Sequence, residues 1–121
     1  MSSNQITPKD FVIGLKTTVV DENIGIYKQL FSNTTIKDAA DESWKRALTL
    51  FNSLPTEQRE VFFEVIRQTM VDTTSNILGI MDGVSTINGV NAEFLLTYGI
   101  DNEALTGDLQ SLFLAEEHSK S

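Results

Sequence analysis

The pattern that most constrains this chain lies in its middle. From Glu57 onward, Phe62, Phe63, Ile66, Met70, Ile77, Met81 and Val84 recur at helical spacing through about seven turns. They predict one helix of about 26 residues, roughly 40 Å long at 1.5 Å per residue. A helix of that length exceeds the globular average, so other helices must cover both of its flanks. Leu54-Pro55 ends the helix before it, because a residue preceding proline is pushed out of the helical region. Thr56 is the expected cap. Thr69, Asp72, Thr73, Thr74, Ser75 and Asn76 make its middle polar; such side chains bond back to the preceding turn or face a polar neighbour.

The rest of the chain is read around that helix. Thr7-Pro8 starts an earlier one, with threonine placed to cap and proline at the first helical position. Ile13, Val20, Ile24, Tyr27 and Phe31 then form one stripe. The β-branched run Thr17-Thr18-Val19-Val20 followed by Asp21 allows a break, so residues 8–33 are one helix or two, with one preferred. Residues 38–54 form an amphipathic helix with Ala40, Trp44, Ala47, Leu48 and Phe51 on one face. Asp38, Asp41 and Glu42 lie at its positive end.

Two glycine turns follow the long helix. Gly79, inside it, costs about 1 kcal/mol relative to alanine, so it marks a close helix crossing or early fraying. Asp82-Gly83 is the expected stop, with Gly83 in the left-handed conformation. Asn88-Gly89 has the signature of a two-residue hairpin turn, and Glu93 to Tyr98 reads as a strand bounded by Gly99. Leu105, Leu109, Leu112 and Phe113 give a last short helix an apolar face, capped by Thr106 or Asp108, before a frayed tail at 116–121. The expected fold is therefore mainly α (α+β): a helical bundle with one long central helix, a small β-hairpin near 84–98 and a short C-terminal helix. Residues 1–121 form a single domain, without repeats or linkers.

Charge separates the two halves. Residues 1–67 balance to −1 and residues 68–121 to −7, which together make the net charge of −8. Between Arg67 and Lys120 there is no lysine or arginine. That asymmetry argues against direct binding to nucleic acid or an anionic membrane surface and favours a partner protein with a basic surface. No apolar run approaches the roughly 18 residues of a membrane span, no secretory leader opens the chain, and cysteine is absent, so a soluble cytoplasmic protein is expected. The Asn33-Thr34-Thr35 sequon carries little weight without secretion.

Residue patterns that carry chemistry are sparse. The single histidine, His118, lies three residues from the end and has no expected orienting partner. No phosphate-binding glycine loop is present. A calcium loop counted from Asp101 needs glycine at its sixth position and glutamate at its twelfth, and finds Thr106 and Leu112. Glu60, Glu64 and Arg67 have the spacing of an exposed charge ladder. Asp72 and Asp82 are separated by about 80° and roughly 15 Å along the helix and cannot share a proton. A buried bond to another helix is the preferred role for Asp72. Trp44 is expected in the core; Phe94, Leu95 and Tyr98 can serve core or interface. No catalytic, cofactor-binding or metal-binding residue is assigned.

The preferred reading is a non-enzymatic protein-binding module. In size, charge and missing chemistry the chain is similar in type to small acidic inhibitors, including immunity proteins against bacterial toxins, though no motif carries the similarity. Its candidate binding residues are Asp82, Glu93, Asp101, Glu103 and Asp108, acids that flank the turns. The alternative is a small-ligand binder or enzyme with a pocket between the long helix and the hairpin, built from Asp72, Asn76 and Asp82. A third is a structural or self-assembling subunit. Self-association is expected through Val90 to Leu96 or the helical face near Met70 and Ile77.

Overall fold

The computed structural model describes residues 6–99 and 103–118. Helix α1 (Pro8–Leu15), a π-helical segment (Lys16–Glu22) and α2 (Asn23–Asn33) follow one another without leaving helical geometry. The Thr7 hydroxyl accepts from the Asp10 N–H, and the Asp10 carboxylate accepts in return from the Thr7 N–H. So the one-helix reading of residues 8–33 holds, with a change of winding in its middle.

That winding has a physical reason. The residues the helix buries are Val12, Lys16, Val20 and Ile24, each four positions after the last, with Phe31 beyond. In an α-helix a spacing of four drifts about 40° per step. The wider i→i+5 winding of a π segment turns less per residue and holds this row on one side. The β-branched run that suggested a break sits within that segment. Ile13 and Tyr27, expected in the stripe, lie at its margin and are over a third exposed.

Helix α3 (Glu42–Ser53) starts four residues later than its composition suggests. The Thr35 hydroxyl accepts from the Asp38 N–H in a turn of its own, and Asp41 caps the helix by accepting from the Trp44 N–H at 2.8 Å. Leu54 is extended, as the following proline requires. Arg59 reaches back to the α3 end, donating to the carbonyls of Leu54 and Asn52 while its guanidinium lies over the Phe51 ring.

Helix α4 (Thr56–Met81) is the long helix, at 26 residues. Pro55 occupies its cap position and Thr56 is its first helical residue, so the expected threonine cap is not formed. Its first half packs Phe62, Phe63 and Ile66 against Phe31, Leu48 and Phe51. Phe31 is the hub of that aromatic core, with the rings of Trp44, Phe51, Phe62 and Phe63 at 5.0–6.1 Å. The second half of α4 packs Val71 and Leu78 against Val12, Val20, Leu109 and Phe113 in an aliphatic core. The buried face rotates between the two. Ile77, expected inside, is 53% exposed, whereas Thr74 and Ser75 are buried.

The polar middle of α4 behaves as its composition implies. Thr69 and Thr74 donate back to the carbonyls of Val65 and Met70. Ser75 faces a polar neighbour: Gln110 Nε2, on helix α5 (Leu109–His118), donates to its carbonyl at 3.0 Å and its hydroxyl at 3.2 Å. Gly79 is the crossing point. A Cβ there would stand 2.8 Å from the Gln110 amide nitrogen. At the end of α4, Gly83 takes positive φ, its N–H donates to Ile80 and the Val84 N–H donates to Gly79, closing both bonds of a Schellman motif.

The hairpin lies further along than the turn residues suggested. Asn88 and Gly89 both take positive φ, and Ile87 and Val90 exchange two hydrogen bonds across them, but this pairing stops at one bridge. The two-stranded antiparallel ladder joins β1 (Thr97–Tyr98) to β2 (Glu103–Ala104). Of the expected strand Glu93 to Tyr98, only its last two residues pair. The bond from the Leu105 N–H to the Leu96 carbonyl, at 2.7 Å, carries the pairing toward α5.

The Gly79 crossing yields a test by sign. Gly79→Ala displaces Gln110 from Ser75, losing two hydrogen bonds of about 1 kcal/mol each while gaining about 1 kcal/mol of helix propensity. In the wild-type background it destabilises by about 1 kcal/mol. In a Gln110→Ala background the same change stabilises by up to about 1 kcal/mol. Urea denaturation of the four chains in this double-mutant cycle reads both signs.

Candidate interaction surface

Four charge-bearing side chains from the π segment, α4 and α5 engage one another. Lys16 projects from the π segment and is 5% exposed. Its ammonium donates to Asp21 at 3.0 Å and has Glu117 at 3.9 Å. Arg67, from the middle of α4, grips the Glu117 carboxylate with two nitrogens and donates to Asp21 at 3.3 Å. Two cations and two carboxylates from three elements thus close a ring. Ion pairs removed from water require this kind of mutual satisfaction.

The ring moves the proton affinities of its acids. The hydrogen bond from Arg67 holds the Glu117 carboxyl below its ordinary 4.5, against burial, which acts to raise it. For Asp21, burial acts to raise the carboxyl, but the bonds and charges of Lys16 and Arg67 prevail and lower it from 3.8. Glu117 is therefore an anchor, and α5 runs in order through His118 where a frayed tail was expected; residues 119–121 lie outside the described residues.

Asp82 is engaged within the fold. Its two carboxylate oxygens accept from the N–H groups of Gly107, at 2.7 Å, and Gln110, at 2.8 Å. It thereby caps the first turn of α5 from the end of α4, the role expected of Thr106 or Asp108 side chains. The carboxylate also complements the positive end of the α5 dipole. Asp72 is exposed and accepts from Gln68 one turn earlier at 2.9 Å, not from another helix. Asn76 is exposed as well. So Asp72, Asn76 and Asp82 do not converge: two face solvent and the third is turned onto α5.

Glu93, Glu103 and Asp108 remain exposed on the segment between α4 and α5. Asp101, the other candidate, lies outside the described residues. The same connecting segment carries exposed apolar side chains. Val84, Ile87, Val90, Phe94 and Leu95 are all exposed, Val84 at 69% and Leu95 at 72%. The run that suggested a strand carried no information about which residues would be covered. Leu96 alone of that stretch packs onto the aliphatic core.

Among the described residues, no group of three or more His, Asp or Glu side chains stands together as a metal site. No family model matches the chain, and no curated protein or solved structure matches it either.

Two outcomes follow from the geometry. Asp82→Ala leaves the α5 N-terminus without its acceptor and lowers stability by about 1–2 kcal/mol in chemical denaturation, with Asp82→Asn losing less. The second outcome concerns pH. Both ring acids titrate lower in the folded chain, so their stabilisation is complete above 4.5 and is lost as pH falls through and below these values. The gap in melting temperature between wild type and Glu117→Gln is widest near neutrality and narrows in acid. A gap that stayed constant down to pH 3 would show that the ring does not carry the dependence.

Proposed function

We propose that the protein is a non-enzymatic binding module, of inhibitor or immunity type, that occupies a basic surface of a partner protein. One observation carries the reading: the exposed acids Glu93, Glu103 and Asp108 lie on a turn-rich segment within a stretch that has no lysine or arginine from residue 68 to 119. Complementary charge of this kind accelerates encounter and fixes orientation more than it adds affinity. Loops held by rigid helices are the usual place for such contacts.

The pocket reading loses its support, because Asp82 is committed to α5 and Asp72 and Asn76 face solvent. No helix among the described residues is long and apolar enough to cross a membrane. The cysteine-free sequence suits a reducing compartment, and we assign the action of the protein to the cytoplasm.

The test neutralises Glu93, Glu103 and Asp108 together and leaves Asp82 intact, because its loss would unseat α5. The variant keeps wild-type stability within about 0.5 kcal/mol, as exposed substitutions do. Its association with a basic partner slows, and the dependence of that rate on salt flattens, because screening acts within about 10 Å at 0.1 M salt. Stopped-flow association against a cationic model protein, from low to high salt, measures both. Equal rates and equal salt slopes for the two proteins would discard the acidic surface.

A further inference from the structure

We infer that residues 84–95 form the apolar anchor of a docking surface whose occupant is a cationic, apolar-bearing segment of another protein. The inference rests on the acidic-surface reading and adds to it what the partner must carry besides positive charge.

Five large hydrophobic side chains within twelve residues face solvent: Val84, Ile87, Val90, Phe94 and Leu95. Elsewhere the exposed hydrophobics are Ile26, Tyr27 and Leu30 on α2 with Ile36 in the turn after it, Val61 with Val65 on α4, and single residues on helices. Single exposed apolar side chains need no explanation, but a run of them in a connecting segment, where polar residues are usual, does.

The segment is also held at its two ends. The Schellman motif at Gly83 fixes its start, and the bonds exchanged by Ile87 and Val90 close the Asn88-Gly89 turn at 3.0 and 2.9 Å. The Leu96 carbonyl, bonded to the Leu105 N–H, fixes its end. A surface ordered before binding loses less conformational freedom on docking.

Charge selects the occupant. A second copy of this chain meeting the first across a two-fold axis would set Glu93, Glu103 and Asp108 against their own equivalents, with no lysine or arginine between residues 68 and 119 to neutralise them. Like charges brought together in an interface are strongly unfavourable. A segment that alternates cationic and apolar side chains meets the acids with its charges and covers Val90, Phe94 and Leu95 with its hydrophobic groups.

Two synthetic peptides test this against the full-length protein: an amphipathic peptide of leucine and lysine, and a peptide of equal charge in which serine replaces leucine. The wild type binds the leucine–lysine peptide at least about tenfold more tightly, the scale expected from burying even one large side chain. Phe94→Ser with Leu95→Ser abolishes that advantage while the circular dichroism and melting temperature stay as in wild type, because both side chains are exposed. If the double variant keeps the advantage, the anchor is elsewhere and the inference fails. If both peptides bind wild type equally and with strong salt dependence, the inference fails while the acidic-surface reading stands. If neutralising the acids changes neither peptide's binding nor its salt dependence, the acidic-surface reading itself fails. Sedimentation supplies the remaining outcome: a wild-type dimer that the double variant dissociates would make a second copy the occupant and overturn the proposal.

Discussion

A lysine ammonium that is almost wholly removed from water sets the terms for the rest of this structure. Lys16 cannot be buried alone, because an unpaired charge in a protein interior is far more costly than any packing it permits. Its partners must therefore arrive at one place from distant parts of the chain. Asp21 comes from the same π segment, Glu117 from the end of α5, and Arg67 from the centre of α4 joins the two acids from the other side. The ring fixes the rotation of the π segment, the depth of α5 and the face that α4 turns toward both. Arg67 lies between Ile66, which packs on the aromatic core, and Met70, which packs on the aliphatic one. The junction of the two cores is thus polar and directional, where hydrophobic contact alone would leave the helices free to slide.

The parts legible from the sequence were those with local causes. The long helix and its glycine stop, the proline that ends α3 and the capped start at Thr7 depend on residues within one or two turns, and each forms as those residues imply. Local reasoning missed the contacts made across tens of residues. Nothing near Asp82 in sequence says that its carboxylate will cap a helix 25 positions away. Gly79 was ambiguous for the same reason, since only the arrival of Gln110 distinguishes a crossing point from a fraying end. Lys16 was invisible as a core residue because periodicity analysis counts apolar side chains. The row it completes is spaced by four, a signature of altered winding that a search for 3.6-residue periodicity reads as drift.

The surface was legible in charge and illegible in exposure. Carboxylates beside glycine turns face water because turns do, so Glu93, Glu103 and Asp108 lie where composition puts them. Val84, Phe94 and Leu95 are different. An apolar run bounded by glycine predicts a strand, and a strand needs a pairing partner of sufficient length. The ladder here is two residues long on each side and starts only at Thr97. The residues before it keep an interior composition in an exterior position.

Five of the described acids of the C-terminal half therefore divide into two populations with different physical work. Asp82 and Glu117 are turned inward, onto a helix terminus and onto Arg67, and they hold α5 to α4 at its two ends. Glu93, Glu103 and Asp108 stand in solvent on the connecting segment. A net charge cannot express this division, because a carboxylate that caps a helix contributes to the total but little to what a partner meets at the surface. The division also separates the scaffold from the surface it presents. Residues whose contacts are with water can change without loosening the helices, since substitutions away from caps, cores and ion networks alter stability by only about 0.5 kcal/mol. A chain built this way can exchange the surface on its connecting segment while the charge ring, the α5 cap and the two cores keep that segment in place.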